Sequence, residues 1–529
     1  MEHEFGLAYI NDWLERGMLS KEFILGRLDQ EIKTSCSLRE EERLALKRSF
    51  QSVCTDEGLL TEAGFISLLQ AKTILPHFPE GIEISKALYT SLAYLSTLPF
   101  PKSPEKTTSH PGLSLAQLTR CLVWALPGNH KYIMTEDNFS RARTKSDHRR
   151  IIFQSLAFAT HDKPYDPKRA RQLALQNALD VDTENDLIFA LSNHDDDGDE
   201  IYHDLLDVLY SMQPENLPLA PVTRDSFRSI AKRIGRENEL ASLHSIGIPI
   251  ELFVSLVKLF LALQFESPST RVDLNQFNAA AQSISSAFCE EKNSGIITWP
   301  MFNYGLRNVV PYLLDPFYHL LSMALLEDTG EYFLMTPTDP PTTVGGILGL
   351  PHMSQLSTFL IGCIDFDALR RMEHYSGLDL PTPAGLVSAI ESVPDEAIVV
   401  LSGSTATGKN FIFGVFSPKP LADRTSVQSL DPNHLGLEPC SIFQLAPTQD
   451  IFRGVAGRPG WILDDEGVVF GQSGGVRMAL RDGLSRIEIT HEVSKGDETT
   501  EVYKSNPWRS SWALSIAVSE IEIWSEPDL

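Results

Sequence analysis

The residues with the most chemistry to offer lie between Gly403 and Lys409, where GSTATGK spells G-x-x-x-x-G-K directly behind the apolar run Ile398, Val399, Val400 and Leu401. A glycine-rich loop of that spacing can wrap backbone N–H groups around phosphates, with the lysine reaching the outer phosphates and a following Ser or Thr hydroxyl on Mg²⁺. Position 410, however, is Asn, which has no hydroxyl, and Phe411 to Phe416 (FIFGVF) is aromatic, branched and glycine-interrupted, with Pro418 and Pro420 beyond it. A phosphate loop must open a helix whose amino end faces the anion, and proline inside a helix costs about 3 kcal/mol. Ala397 to Pro420 therefore reads as strand, tight turn and strand, with a nucleotide-binding enzyme using Gly403, Gly408 and Lys409 as the alternative.

Oxygen-rich segments come next. NHDDDGDEIYHD places Asn193, Asp195, Asp197 and Asp199 at calcium-ligand spacing around Gly198, but Glu200 fills the apolar slot and Asp204 stands where a closing Glu belongs. A solvated acidic loop is the plainer reading, and a calcium sensor the alternative. His194 and His203 offer nitrogen without a tetrahedral set. Two further stretches echo a calcium-binding hand. Gly58, Leu60 and Phe65 fall in one such register and Gly295, Ile297 and Phe302 in another, yet the first offers Val53 and Gly64 at its ligand ends and the second Lys292 and Met301. Calcium needs six to eight oxygens, including a bidentate carboxylate closing the loop. These are hands by shape, and no metal or cofactor is expected.

The basic stretch Ser140 to Arg150 (SRARTKSDHRR) reads as a solvated helix face or an intramolecular partner for acidic loops, ahead of a phosphate or lipid contact. Cys36, Cys54, Cys121, Cys289, Cys363 and Cys440 form no C-x-x-C pair, so buried free thiols are expected. His374, His434 and His491 lie in no H-E-x-x-H pattern; packing or surface histidines are the default.

The elements that must position these groups divide the chain. Its 529 residues suggest two to four domains, and a net charge of −25 opposes sequence-independent attraction to nucleic-acid backbones. The start, MEHEFGLAYI, reads as neither a secretory signal nor a myristoylated end, since position 2 is Glu. Residues 1–335 show helical periodicity in DWLERGMLSKEFILGRL, ISKALYTSLAYLSTL and LAQLTRCLVWAL. Ile250 to Phe265 is shorter than the ~20 residues that cross a bilayer and carries Lys258, so it reads as a buried bundle helix. Residues 336–353 (TPTDPPTTVGGILGLPHM) read as a linker or domain edge. In 354–529, helices are expected at Leu356 to Met372 and Ala384 to Ser392, then short strands: AIVVLS, FIFGVF, SIFQLA, WILDD, GVVFGQ, MALRD, IEITH and ALSIAVSEIEIWS. The fold class expected is α+β, a helical region with degenerate hand-like elements followed by packed antiparallel sheets.

With the strands in this order, 354–529 resembles the TLDc domain family: FGVFSPKP (Phe413 to Pro420), PCSIFQL (Pro439 to Leu445), the run Trp461 to His491, and the closing Asn506 to Ser525 with its E-x-W ending carry the likeness. FPEGIEISKALYTSLAYLSTLPFP, GDEIYHDLLDVLYSMQP and IITWPMFNYGLRNVVPYLLDPF resemble the helical region of fungal TLDc proteins of the restriction-of-telomere-capping group, number five of that series. Several of those relatives begin Met-Gly, and this chain does not. The resemblance implies a non-enzymatic cytoplasmic protein with no catalytic residues. Its family associations are oxidation resistance, binding to subunits of the vacuolar proton-pumping ATPase and, in the fungal group, an effect on telomere capping. Protein partners are implied, with no direct nucleic acid and only peripheral or partner-mediated contact with the vacuole.

Overall fold

The computed structural model describes residues 2–34, 38–72, 79–101, 111–127, 145–159, 203–213, 222–237, 243–265, 273–289, 295–326, 346–394, 396–418, 440–455, 460–464, 466–471, 474–493, 501–507 and 509–527. The chain folds as α+β, helical in its first half and antiparallel β beyond. It forms two units: one of Met1–Leu252, Gly295–Asn303 and Phe317–Phe333, the other of Phe253–Ser294, Tyr304–Pro316 and Leu334–Leu529.

In the first unit the helical periodicity is realised as α1 (Glu2–Glu15), α2 (Lys21–Thr34), α3 (Glu40–Val53), α4 (Glu62–Ala71), α5 (Pro79–Ser96), α6 (Leu115–Ala125) and α7 (Lys145–Leu156). DWLERGMLSKEFILGRL is two helices, because Gly17 turns left-handed at φ +70° and the Ser20 hydroxyl accepts the Phe23 N–H to start α2. Ser114 and Gln117 form a reciprocal cap that starts α6. Leu60, between α3 and α4, and Leu113, just before α6, exchange backbone hydrogen bonds of 2.8 and 2.9 Å, which ties two helix–turn–helix segments together.

A second tie of the same kind follows β1 (Phe158–Ala159), α8 (His203–Ser211) and α9 (Arg224–Glu237). Here β2 (Ile246–Pro249) pairs with β1 and with β3 (Ile296–Ile297), and Ile248 lies opposite Ile297. α10 (Ile250–Ala262) continues directly from β2, and α12 (Trp299–Tyr304) follows β3 after one residue. Gly58 and Gly295 each sit two residues before the bridging side chain at φ +72° and +70°. That left-handed turn is what glycine supplies without a steric penalty.

The second unit contains α11 (Asn278–Ala287), α14 (Leu350–Leu360) and α15 (Pro383–Ser392); α13 (Asp315–Leu321) begins in this unit and continues into the first. Its sheet runs β8-β7-β6-β5-β13-β12-β11-β10-β9, with β4 also on β13. The strands are β4 (Arg370–Ser376), β5 (Ala397–Ser404), β6 (Asn410–Ser417), β7 (Ser441–Ala446), β8 (Asp450–Arg453), β9 (Trp461–Asp464), β10 (Gly467–Phe470), β11 (Gly475–Arg481), β12 (Arg486–Glu492) and β13 (Trp512–Ser525).

β13 is the seam. Its 512–517 half pairs with β12 and its 520–525 half with β4 along one edge, while 517–524 pairs with β5 along the other. The core between the layers takes alternate residues such as Leu401, Phe413, Met478, Ile489, Ile516 and Ile523, closed by Leu386 and Ile390 of α15. The opposite face of the β5 to β7 part is buried as well: Phe443 meets Phe359 of α14 at 5.5 Å, and Ile398 and Val400 are shut from solvent. Burial on both faces explains why AIVVLS and FIFGVF read as unbroken apolar runs, whereas IEITH alternates.

One expectation is corrected, and two strands went unread. The helix expected over Leu356 to Met372 ends at Leu360: Gly362 takes φ +87°, and Arg370 to Met372 already belong to β4. DIFR and RRMEHYS, too polar to stand out, are strands β8 and β4.

Candidate functional site

The loop that offered phosphate chemistry is a hairpin tip. β5 and β6 pair in register from Ala397 with Ser417 to Ser404 with Asn410. Between them, the Thr405 N–H donates to the Lys409 carbonyl at 3.0 Å and the Gly408 N–H to the Thr405 carbonyl at 2.9 Å. Each glycine of the motif has a local cause. Gly403 passes so close to the Ala517 carbonyl of β13 that a Cβ would overlap it, and Gly408 sits at φ +79° in the turn. Lys409 is exposed, with Nζ 5.4 Å from the centre of the Phe411 ring. Asn410 starts a strand, so the helix that a phosphate loop requires is replaced by β6, and the nucleotide-binding alternative loses its anion site.

The basic and acidic runs meet. Of Ser140 to Arg150, the described part is 145–150; of Asn193 to Asp204, it is His203 and Asp204, while Asp195, Asp197, Asp199 and His194 lie outside the described residues. Arg150, fully buried on α7, grips the Asp204 carboxylate of α8 with both terminal nitrogens at 2.7 and 2.8 Å. Asp147 stands 3.5 Å away. Arg224 bonds Asp207 at 2.8 Å and approaches His203 Nδ1 at 3.2 Å. For Arg150 the solvated-face reading and the phosphate or lipid contact are corrected and the intramolecular-partner reading holds: the guanidinium pairs with Asp204, which stands where a calcium loop would need its closing Glu.

A second buried carboxylate lies on β13. Glu522 Oε1 accepts from the Ile347 N–H at 3.0 Å and Arg371 Nη1 at 3.1 Å; Oε2 accepts from Trp524 Nε1 at 3.0 Å and the Leu348 N–H at 3.3 Å. Gly346, at φ +94°, lets the chain curl around this carboxylate, since a Cβ there would overlap Oε1. Successive N–H groups aimed at one anion make a backbone nest, here filled by the chain's own side chain. His374 lies opposite Glu522 on β4 and 3.6 Å from Glu520, and the three bring ligand atoms within 4.8 Å of one another. Both Glu522 oxygens already serve two donors each, one a guanidinium, so the cluster is built to hold a carboxylate in place rather than to present it to a cation.

Of the three histidines singled out, His374 is half-exposed on the sheet edge, His491 is buried on β12, and His434 lies outside the described residues. Burial, with Arg509 nearby, holds the His491 imidazole below its ordinary range despite the opposing Ser510 bond and Glu501 charge. Asp450 is pushed upward by burial, against the pull of Arg509 and Asn506. Cys121 and Cys440 are buried free thiols, and Cys54, Cys289 and Cys363 are half-buried ones. Burial lifts the Cys121 and Cys289 thiols above their usual range, which leaves them poor nucleophiles.

Sequence reasoning missed the partners of Glu522, namely Gly346, Ile347, Leu348 and Arg371, and the group of Asp450, Asn506 and Arg509. The E-x-W pattern pointed at the right strand, but nothing local tied it to a glycine pair some 175 positions earlier. Among the described residues, no helix is long and apolar enough to cross a membrane.

A family model for the TLDc domain matches residues 382–526, from the residue that caps α15 to one residue past β13. No curated protein matches the chain.

Proposed function

We propose that this chain is a non-enzymatic TLDc-containing binding protein that acts by docking on a larger protein assembly, with subunits of the vacuolar proton-pumping ATPase as the partner and oxidative-stress resistance as the process served. The observation that carries the reading is the TLDc match over 382–526. It is supported by the use made of the chemistry-bearing residues within that span, where Gly403, Gly408 and Lys409 build a hairpin and Glu522 anchors the chain's own backbone.

The helical half contributes shape. Its two bridged helix–turn–helix ties, Leu60 with Leu113 and Ile248 with Ile297, fit degenerate hands whose pairing survives without metal ligands. The narrower kinship with the fungal restriction-of-telomere-capping group rests on the residues quoted above. The telomere effect is then indirect, since the net charge of −25 opposes sequence-independent attraction to DNA.

Affinity purification of the tagged full chain, followed by mass spectrometry with and without oxidative stress, tests the partner. Enrichment of ATPase subunits over a tag-only control is the expected result; their absence under both conditions overturns the partner. Calorimetric titration of ATP into the wild type and Lys409→Ala tests the non-enzymatic reading at the one loop that resembles a phosphate site. No binding heat is expected, and binding at about micromolar affinity that the substitution abolishes would reverse it.

A further inference from the structure

We propose that His491 is a proton-operated clasp: while neutral it pins Asn506 and Ser510 to the sheet, and when it takes up a proton it releases them. The ring is fully buried on β12, stacked on Trp512 at 5.5 Å and 12° and tilted against Phe452 at 5.6 Å. Its two nitrogens have opposite duties. Nε2 accepts the backbone N–H of Asn506 at 2.9 Å, and Nδ1 faces the Ser510 carbonyl at 3.2 Å. Only the neutral ring with its proton on Nδ1 satisfies both. A second proton on Nε2 would set a donor against the Asn506 donor in a site closed to water, and that clash falls on the segment itself.

The segment's other ties bound what moves. Asn506 Nδ2 reaches both Asp450 oxygens at 3.0 Å, and Arg509 lies 3.6 Å from Asp450 and donates to the Ser286 carbonyl at 3.1 Å. Just upstream the chain is held by backbone bonds with no proton dependence: Val455 N–H to Val502, Lys504 N–H to Arg453 and Val476 N–H to Tyr503. The charged groups facing the ring are Arg509, which opposes its protonation, and Glu501, which favours it; Asp450 stands behind Asn506.

Burial also disfavours the charged imidazole, so the released segment binds the proton more readily than the clasped one. The clasp is thus complete above the ordinary histidine value of 6.5 and weakens as pH falls below it. Asp450 works in the opposite sense, because a proton relieves its buried charge. It limits the release on the acid side, toward the carboxylate range.

Hydrogen exchange of the full chain at about pH 7.5 and about pH 5.5, corrected for the intrinsic dependence of amide exchange on pH, tests the clasp. Protection of the Asn506 and Arg509 amides is expected to fall by about tenfold or more at the lower pH, with the β5–β6 hairpin unchanged. In His491→Gln, whose amide oxygen can accept the Asn506 N–H without titrating, the difference is expected to vanish. Equal protection at both pH values, or the same loss in the variant, overturns the proposal. Should the variant fail to fold, nitrogen NMR of the wild-type imidazole decides. A ring protonated on Nδ1 that titrates together with the loss of protection supports the clasp; one that titrates at its ordinary value apart from that loss overturns it.

Discussion

Asp204 and Glu522 are shut from solvent to nearly the same degree, at 1% and 0% exposure, and the chain treats them differently. Asp204 faces a guanidinium that is itself fully buried, so two charges have left water together. Glu522 is held largely by backbone and indole N–H groups, and its one cationic partner, Arg371, keeps a quarter of its side chain in solvent. Removing two charges from water has a penalty that their attraction only partly offsets. A nest of fixed dipoles leaves less counter-charge to bury. The first arrangement depends on both members of a pair, the second on the path of the backbone around one.

Breaking the pair should have the largest effect. Asp204→Ala removes the two-pronged partner of the buried Arg150 and is expected to destabilise the helical unit by about 3–5 kcal/mol, read as a lower urea midpoint by far-UV circular dichroism. Arg150→Met with Asp204→Leu together should recover most of that loss; if the double variant is as unstable as the single one, the interaction is not chiefly one of charge. Glu522→Gln should cost about 2–3 kcal/mol in the sheet unit, because the new amide sets an N–H against donors that need an acceptor. Gly346→Ala tests the backbone side of the same nest. A side chain at φ +94°, overlapping the carboxylate, should lower stability by about 1–3 kcal/mol, and a neutral result would mean the curl is not needed.

The pH dependence sharpens the contrast. His352, beside the Glu522 nest, donates from Nδ1 to the Ile347 carbonyl over 2.8 Å and is held below its ordinary value mainly by burial, against that bond and the Glu522 charge. Its contribution to the sheet unit is present above 6.5 and is lost as pH falls toward the lower folded value, because the unfolded chain takes the proton first. The urea midpoint of the sheet unit should therefore drop between about pH 7.5 and about pH 5.5, and His352→Gln should shrink the drop. Smallest of all, Lys409→Ala at the exposed hairpin tip should move stability by less than about 0.5 kcal/mol; a larger loss would assign the lysine a structural role beyond its contact with Phe411.

What was legible in the sequence follows from how local each signal is. The β5–β6 hairpin could be read because FIFGVF and its prolines exclude a helix within a few residues of the glycines. The meeting of Arg150 with Asp204 was half-visible: both lay in runs whose opposite charge invited pairing, but only the fold placed α7 beside α8. The Glu522 nest and the His491 contacts could not be read, since their partners are backbone groups, and an N–H or a carbonyl has the same chemistry at almost every position. β4 was missed for a related reason. RRMEHYS is polar because its strand lies at an edge, and its pairing is dictated by β13 rather than by its own residues.

β13 has a consequence for how the protein is made. The ribosome adds it after every strand it joins, so β4, β5 and β12 emerge with open hydrogen-bonding edges and must wait for one late segment to link them. Until Trp512–Ser525 has left the exit tunnel, the two layers share no common strand and the nascent sheet is exposed to pairing with the wrong chain. Quality control by the cell's chaperones would then bear most heavily on the final few dozen residues of this domain.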